Sequence, residues 1–349
     1  MFRYINDENE RNEFTFNEIK KCFEFHYNNC IQYKVFCDIN EIEPSDINEF
    51  DDLYKIPQIP TAVFKSLDVH SVDKRACKCC TSSGTKGAVS RIYRDEATIR
   101  SFVETIRMDA GLLYGLTIDN CVVYNLGPSA AEAGDIWIAY VTGFLRNILE
   151  THNFMHSGVL ETDALVEKLR NADGTKRIVL LGAPALFMKV FADMERNNIH
   201  LELPADAIVF TAGGWKVKSD ISLGRDAICS MFKMYFGIDE SQYFDVYNQV
   251  ESNTPFFECK YHKKHIPAGF LAIIRDPVTL EKLDDGEEGI MTFIDSSSKS
   301  YPAFVMTDDI ASVSEGCECG IGGQVFNYVR RVTAVETKGC ALKLDQKMA

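Results

Sequence analysis

The stretch TSSGTKG, residues 81–87, gathers side chains suited to holding a phosphate: the hydroxyls of Ser82, Ser83 and Thr85, the backbones of Gly84 and Gly87, and the cation of Lys86. Glycine lets the main chain approach a ligand and adopt positive φ, while hydroxyls and free amides donate to phosphate oxygens. It is not a Walker A loop, which requires G-x-x-x-x-G-K-[ST], and a Ser/Thr/Gly turn can equally cap a helix. Three later segments carry matching chemistry. FTAGGWK ends an apolar run in Gly213 and Gly214 followed by Trp215, where a flat ring could lie against the backbone. YNQVESN sets Glu251 just past another short apolar run, and a carboxylate there could hold a magnesium ion bridging phosphates. YPAFVMTDD closes on Asp308 and Asp309, and an aspartate at a strand end suits ribose hydroxyls. Taken singly, these are also a glycine turn, a solvated carboxylate and a polar hairpin tip.

Twelve cysteines make a second chemical theme. The N-terminal residues have neither the basic start nor the apolar run of a secretion signal, so a reducing compartment is expected, where thiols serve as core residues, metal ligands or nucleophiles. Cys22, Cys30, Cys37, Cys121 and Cys229 sit singly in apolar or helical contexts and read as small buried hydrophobes. Cys77, Cys79 and Cys80 are dense but have no histidine nearby. CKYHKKH offers Cys259, His262 and His265, and CECG offers Cys317 and Cys319, in the number a closed, structural tetrahedral zinc site needs.

These residues need a scaffold, and hydrophobic periodicity supplies one. TFNEIKKCFEFHYNNCIQYKVFC has the three- and four-residue spacing of an amphipathic helix, and IPQIPTAVF then breaks helical structure and runs on by an extended path. Downstream, the apolar runs CVVYNLG, RIVLLGAPA and AIVFTAGGW alternate with helical patterns around GDIWIAYVTGFLRNI and LFMKVFADMERN, which predicts an α/β layering with largely parallel strands. From about residue 266 the segments GFLAIIRD, GIMTFID and YPAFVMTDD read as a β-rich, hairpin-connected end. With 349 residues and 46% hydrophobic content the chain can bury a sizeable core. A formal net charge of −14 argues against nucleic acid or an anionic bilayer as partner. No apolar run is long enough for a membrane helix, so a cytoplasmic protein acting on small molecules or proteins is expected.

The hydroxyl/glycine loop, the paired-glycine strand end, the Y-x-x-x-E motif, the T-x-D motif and a late arginine occur in the order found in the adenylate-forming superfamily of acyl-CoA synthetases, which the sequence resembles. A narrower resemblance rests on IPTAVFKS, TSSGTKG, VYNLGPS, TAGGWK, YNQVESN, SYPAFVMTDD and RRVTAVETKGCALKL. Together these resemble the long-chain acyl-protein synthetases of the bacterial luminescence fatty acid reductase complex, over about residues 56 to 344. The resemblance implies an α/β adenylate-forming large domain over 1–330, with a helical lead-in at about 1–55 and a β-rich subdomain at about 266–330, and a hinge-like tail over 331–349. It implies that Ser82 to Gly87 cradle ATP phosphates and Gly213 to Trp215 border adenine. Tyr247, Asn248 and Gln249 would lie at the nucleotide, Glu251 would hold magnesium, Asp309 ribose, and Arg331 would reach ATP or AMP. It makes Cys340 the acyl acceptor. Related phenylacetate-type ligases, which the sequence also resembles, carry a zinc on a C-x5-H and a C-x-C segment, here Cys259, His265, Cys317 and Cys319, with His262 as the alternative histidine.

The expected activity is ATP-dependent activation of a fatty acid as acyl-adenylate, transfer to Cys340 as a thioester, and delivery to a partner acyl reductase that yields the aldehyde. Cys340 is flanked by Lys338, which would lower its pKa, and by Gly339. Coenzyme A ligases continue past the late arginine as a mobile domain bearing a catalytic lysine, whereas this sequence ends at Ala349, so the tail itself is expected to swing Cys340 into the site; Lys86, Lys338 and Lys343 stand open as the assisting lysine. The rival expectations are a ligase that releases the acyl group to coenzyme A or a carrier protein, and a non-enzymatic nucleotide-binding protein.

Overall fold

A computed structural model describes residues 4–83, 89–213 and 224–332. The described chain divides into two units, one made of residues up to 106, 249–256 and 263 onward, the other of 107–248 and 257–262.

The second unit is built on the apolar runs singled out in the sequence. Cys121–Pro128, Arg177–Gly182 and Ile208–Ala212 are buried almost throughout, as strands covered by helices on both faces must be. They form a seven-stranded sheet whose order is Phe256–Phe257, Tyr243–Tyr247, Ile208–Ala212, Arg177–Gly182, Cys121–Pro128, Thr151–His156, Val159–Leu160. Pairing is parallel from Tyr243–Tyr247 through Thr151–His156, and the short Val159–Leu160 strand pairs antiparallel with Thr151–His156. Helices Trp137–Phe144, Thr162–Arg170, Pro184–Arg196 and Arg225–Phe236 lie between the strands in sequence. Pro184 opens its helix at a position where the missing N–H costs nothing. Arg225–Phe236 closes on Gly237 at φ +70°, the left-handed cap that glycine adopts without strain. Phe187 and Phe191 each meet Phe232 edge to face, with centroids 4.9 and 5.1 Å away, in one core cluster with Val122, Leu180 and Val209 of the sheet.

The first unit holds a six-stranded sheet ordered Lys264–His265, Gln324–Arg331, Phe304–Glu315, Gly289–Asp295, Phe270–Arg275, all antiparallel neighbours. Ile59–Pro60 adds to it in parallel, beside Val305 and Met306. The single N-terminal helix expected from the sequence is two, Glu8–Asn29 and Ile31–Ile39, broken where Cys30 takes extended dihedrals (φ −116°, ψ 104°). The Asn28 and Asn29 side chains bond back to the carbonyls of Glu24 and Phe25, which occupies acceptors the helix needs to end cleanly. Phe23 and Tyr33, one from each helix, pack on Phe304 of the sheet at 6.3 and 5.4 Å. Cys22 and Cys37 are buried here, and burial pushes both thiols up to about 12. The extended path expected after Ile59–Pro60 turns instead into a short helix, Thr61–Ser66, before an antiparallel ribbon of Lys78–Thr81 with Arg91–Arg94.

Candidate nucleotide and metal sites

The ribbon sets the position of the TSSGTKG stretch. Its ladder pairs Thr81 with Arg91, and beyond it the Ser82 amide bonds the Ser90 carbonyl while the Ser90 amide bonds the Ser82 hydroxyl, both at 3.2 Å. The stretch therefore joins the two arms of a hairpin. Gly84, Thr85, Lys86 and Gly87 lie outside the described residues, as do Gly214, Trp215, Lys338, Cys340 and Lys343.

Four candidate residues of the first unit stand together. Gln249 donates its side-chain amide to Asp309 Oδ2 at 2.5 Å. Asp309 faces Arg331 across the strand ladder, with Arg331 Nε 3.6 Å from Asp309 Oδ1 and Nη2 4.0 Å from Asp308 Oδ2. The neighbouring Asp308 also pairs with Lys65 Nζ at 3.5 Å. Contrary to the expected strand end, both aspartates sit midway along Phe304–Glu315, because IASVSE continues the strand and pairs with Gln324–Arg331; the ladder shifts register just after them, between Ile310 and Ala311. A shift of this kind turns the local backbone and re-aims side chains. Glu251 is buried, with 6% of its surface exposed. Burial raises its carboxyl above the ordinary range, and the Ser90 hydroxyl, then Lys65 and Arg331, act in the opposite direction.

The segment carrying Glu251 is held by groups that sequence reasoning missed. Arg94, on the returning arm of the ribbon, is fully buried. The two hydrogens of its Nη2 are shared among the carbonyls of Val250 (2.6 Å) and Ser252 (2.9 Å) and the Tyr301 hydroxyl (3.1 Å), and its Nε donates to Asn253 Oδ1 at 3.1 Å. Tyr301 in turn donates to the Glu251 carbonyl at 3.1 Å. Hydrogen bonds to a charged donor contribute about 1.5–3 kcal/mol each when made, so this grip fixes the turn firmly. Beneath it, buried Asp295 accepts from the Asn253 and Ser297 amides and from the Ser297 and Thr254 hydroxyls. The signal in the sequence was the alternation in RIYR, whose Ile92 and Arg94 point inward while Arg91 and Tyr93 stay half-exposed.

In the second unit Gly213 ends Ile208–Ala212 at φ +90°, where an added Cβ would meet Ile138 Cγ1 at 4.0 Å, an ordinary contact, so the conformation rather than crowding calls for glycine. Tyr247 ends its strand, and the next residue, Asn248, accepts from Trp137 Nε1 at 3.0 Å.

For the metal, His265, Cys317 and Cys319 each present a ligand atom within 4.8 Å of the others. His265 Nε2 is 3.2 Å from Cys319 Sγ, and burial lowers the imidazole to about 4, keeping it in the neutral form that binds metals. The turn is tight, with the Gly320 amide on the Cys317 carbonyl at 3.1 Å and Gly320 at φ +86°. Two thiols and a neutral imidazole are a donor set that zinc accepts. Cys259 belongs to the 257–262 stretch of the second unit, where it is buried and accepts from the Tyr261 amide. The two candidate histidines differ: His262 Nδ1 takes a hydrogen bond from Arg225 at 2.6 Å and lies 3.6 Å from Glu258, whereas His265 is the one beside the C-x-C thiols.

The fold is similar to that of a solved structure, 2-hydroxyisobutyryl-CoA ligase in an open conformation in complex with 2-HIB-AMP and CoA, at TM-score 0.72 and 11% identity over 94% of this chain and 76% of that one. The fold is that of the adenylate-forming ligases. More narrowly, the family model described as acyl-protein synthetase, LuxE, matches residues 3–349, and the chain belongs to that family. Two proteins named long-chain-fatty-acid–luciferin-component ligase are similar to it. The one from Aliivibrio fischeri is 32% identical over 93% of this chain and 86% of its own length, and the one from Vibrio harveyi 31% over 97% and 89%. The chain is accordingly an enzyme, an ATP-dependent ligase. Among the described residues no helix is long and apolar enough to cross a membrane.

Proposed function

We propose that this chain activates a long-chain fatty acid with ATP and carries the acyl group on its own Cys340 for delivery to a partner acyl reductase. A carboxylate is a poor electrophile, so its oxygen attacks the α-phosphorus of ATP, pyrophosphate departs, and a mixed anhydride with AMP results. The Cys340 thiolate then attacks the acyl carbon, the C–S bond forms, and AMP leaves with the electron pair of the broken C–O bond. Within this reading Ser82 to Gly87 hold the phosphates, Gly213 to Trp215 and Tyr247 to Asn248 border the base, and Asp309, oriented by Gln249 and Arg331, binds ribose. Glu251 is the magnesium ligand. Magnesium, when bound, neutralises phosphate charge and stabilises the transferring group. Cys340, with Lys338 beside it, is the acceptor, and Lys86, Lys338 and Lys343 are the candidate assisting cations. Zinc is held by Cys259, His265, Cys317 and Cys319, with the chain itself tethering Cys259 to His265 through five residues, and its role is structural. The reaction takes place in the cytoplasm.

The observation carrying this reading is the family match along 3–349, which takes in every motif from TSSGTKG to KGC. The names of the two relatives supply the fatty acid, and the Gln249, Asp309, Arg331 and Glu251 grouping is consistent with a nucleotide and its cation. Incubation with radiolabelled fatty acid, ATP and magnesium, followed by a denaturing gel, tests it. Label should stay on the wild-type protein and be removed by neutral hydroxylamine, whereas Cys340→Ser should retain fatty-acid-dependent pyrophosphate exchange with no hydroxylamine-labile label. Label that appears only on added coenzyme A or carrier protein would overturn the acceptor role.

A further inference from the structure

The ribbon that bears the phosphate-loop candidate and the turn that bears Glu251 are separated by about 160 residues of sequence, yet one side chain joins them. We infer that Arg94 is the positioning residue for Glu251, so that the arm returning from the TSSGTKG stretch sets where the magnesium carboxylate stands. The inference rests on the proposed reading of Glu251 as cation ligand.

Three features support it. Arg94 is fixed from its own side, because it is the last rung of the ribbon, opposite Lys78, three rungs from the Thr81–Arg91 pair that flanks the loop. It is fixed from the other side by acceptors on three residues that bracket Glu251, the carbonyls of Val250 and Ser252 and the Asn253 amide oxygen. Tyr301 closes the ring, receiving from Arg94 and donating to the Glu251 carbonyl itself. A planar guanidinium offers divergent N–H donors in fixed geometry, which lysine cannot reproduce with a single ammonium. The arrangement has the form of an outer shell that orients a ligating group through its backbone, and loss of such partners typically weakens metal binding roughly ten- to hundredfold.

The test uses the full chain and manganese as the probe. Binding of Mn2+ in the presence of a non-hydrolysable ATP analogue is titrated by electron paramagnetic resonance for wild type, Arg94→Lys, Tyr301→Phe and Glu251→Gln, alongside thermal melts and binding of the metal-free analogue. Arg94→Lys should weaken Mn2+ at least tenfold with metal-free nucleotide affinity kept within about twofold, and Tyr301→Phe should weaken Mn2+ by a smaller factor in the same direction. A merely structural Arg94 would lower the melting temperature and the active fraction while leaving the Mn2+ constant of the folded fraction at the wild-type value, and that result overturns the inference. If Arg94→Lys does not fold, an unchanged Mn2+ constant in Tyr301→Phe overturns it as well. Should Glu251→Gln bind Mn2+ as wild type does, the reading of Glu251 itself fails, separately from the part assigned to Arg94.

Discussion

Glu251 is placed where stability and chemistry pull apart. Burial holds its folded carboxyl above the ordinary 4.5, so the folded chain grips that proton more tightly than the unfolded chain does. A group shifted this way contributes stability that is fully present below the unfolded value and is lost as pH rises through the folded one. Ionising the carboxyl in the folded chain is therefore a cost, offset when a cation binds it. Glu251→Gln should melt a few degrees higher than the metal-free wild type at pH 7, the gain should vanish toward about pH 4, and magnesium-dependent pyrophosphate exchange should be lost at every pH. Equal melting temperatures across that range in calorimetry would refute the account. The acidic residues stood out in the sequence only through their order among the other motifs, since each taken singly is also a solvated carboxylate or a polar hairpin tip. Arg94 did not, since an arginine in a four-residue strand looks like a solvated edge until the acceptors it reaches, from Val250 to Tyr301, are brought in by the fold.

At the scale of elements, the long apolar runs announced their own strands. Cys121–Pro128 and Arg177–Gly182 need cover on two faces, which periodicity can express, and they fall where the alternation predicted. What periodicity could not express was the partner. The strand through Asp308 and Asp309 continues to Glu315 because Gln324–Arg331 is there to pair with it, and the helix ends at Asn29 because asparagine side chains compete for its last carbonyls. The two-residue strand Lys264–His265 shows the same dependence: only Phe326 and Val325 pair with it, too little to hold an edge by ladder bonds alone. The zinc proposed at His265, Cys317 and Cys319 would staple it. Plasma mass spectrometry should find one zinc per chain, with Cys319→Ser and His265→Ala reduced to background, and chelation should lower the melting temperature by several degrees and speed amide exchange first at 264–265 and 317–320. A metal-free protein with the same melting temperature would remove zinc from the fold.

For the whole molecule, the two units use the chain differently. Every strand pairing of the parallel sheet falls between residues 121 and 257, and its helices are contained in the same span. Expressed alone, residues 107–262, which hold this unit together with the 249–256 stretch that belongs to the first, should unfold cooperatively in urea with the far-ultraviolet dichroism of a mixed α/β protein; a non-cooperative, molten profile would show that this unit leans on the rest. The alternation of strands and helices let the sequence declare an α/β fold. It could not declare that the other unit is assembled from three separate pieces of chain, because such closure is decided by which distant strands find each other, as Ile59–Pro60 finds Val305–Met306.

That pairing has a consequence for the order of events during synthesis. The N-terminal helices emerge from the ribosome with Phe23 and Tyr33 exposed, and the strand bearing Phe304 that covers them is translated nearly three hundred residues later. By then the parallel sheet can already be complete. Between the emergence of Phe257, which completes the parallel sheet, and that of Phe304, then, the nascent chain carries a finished middle and an unfinished beginning, and the apolar flank left waiting at its start is the surface that a chaperone would have to guard.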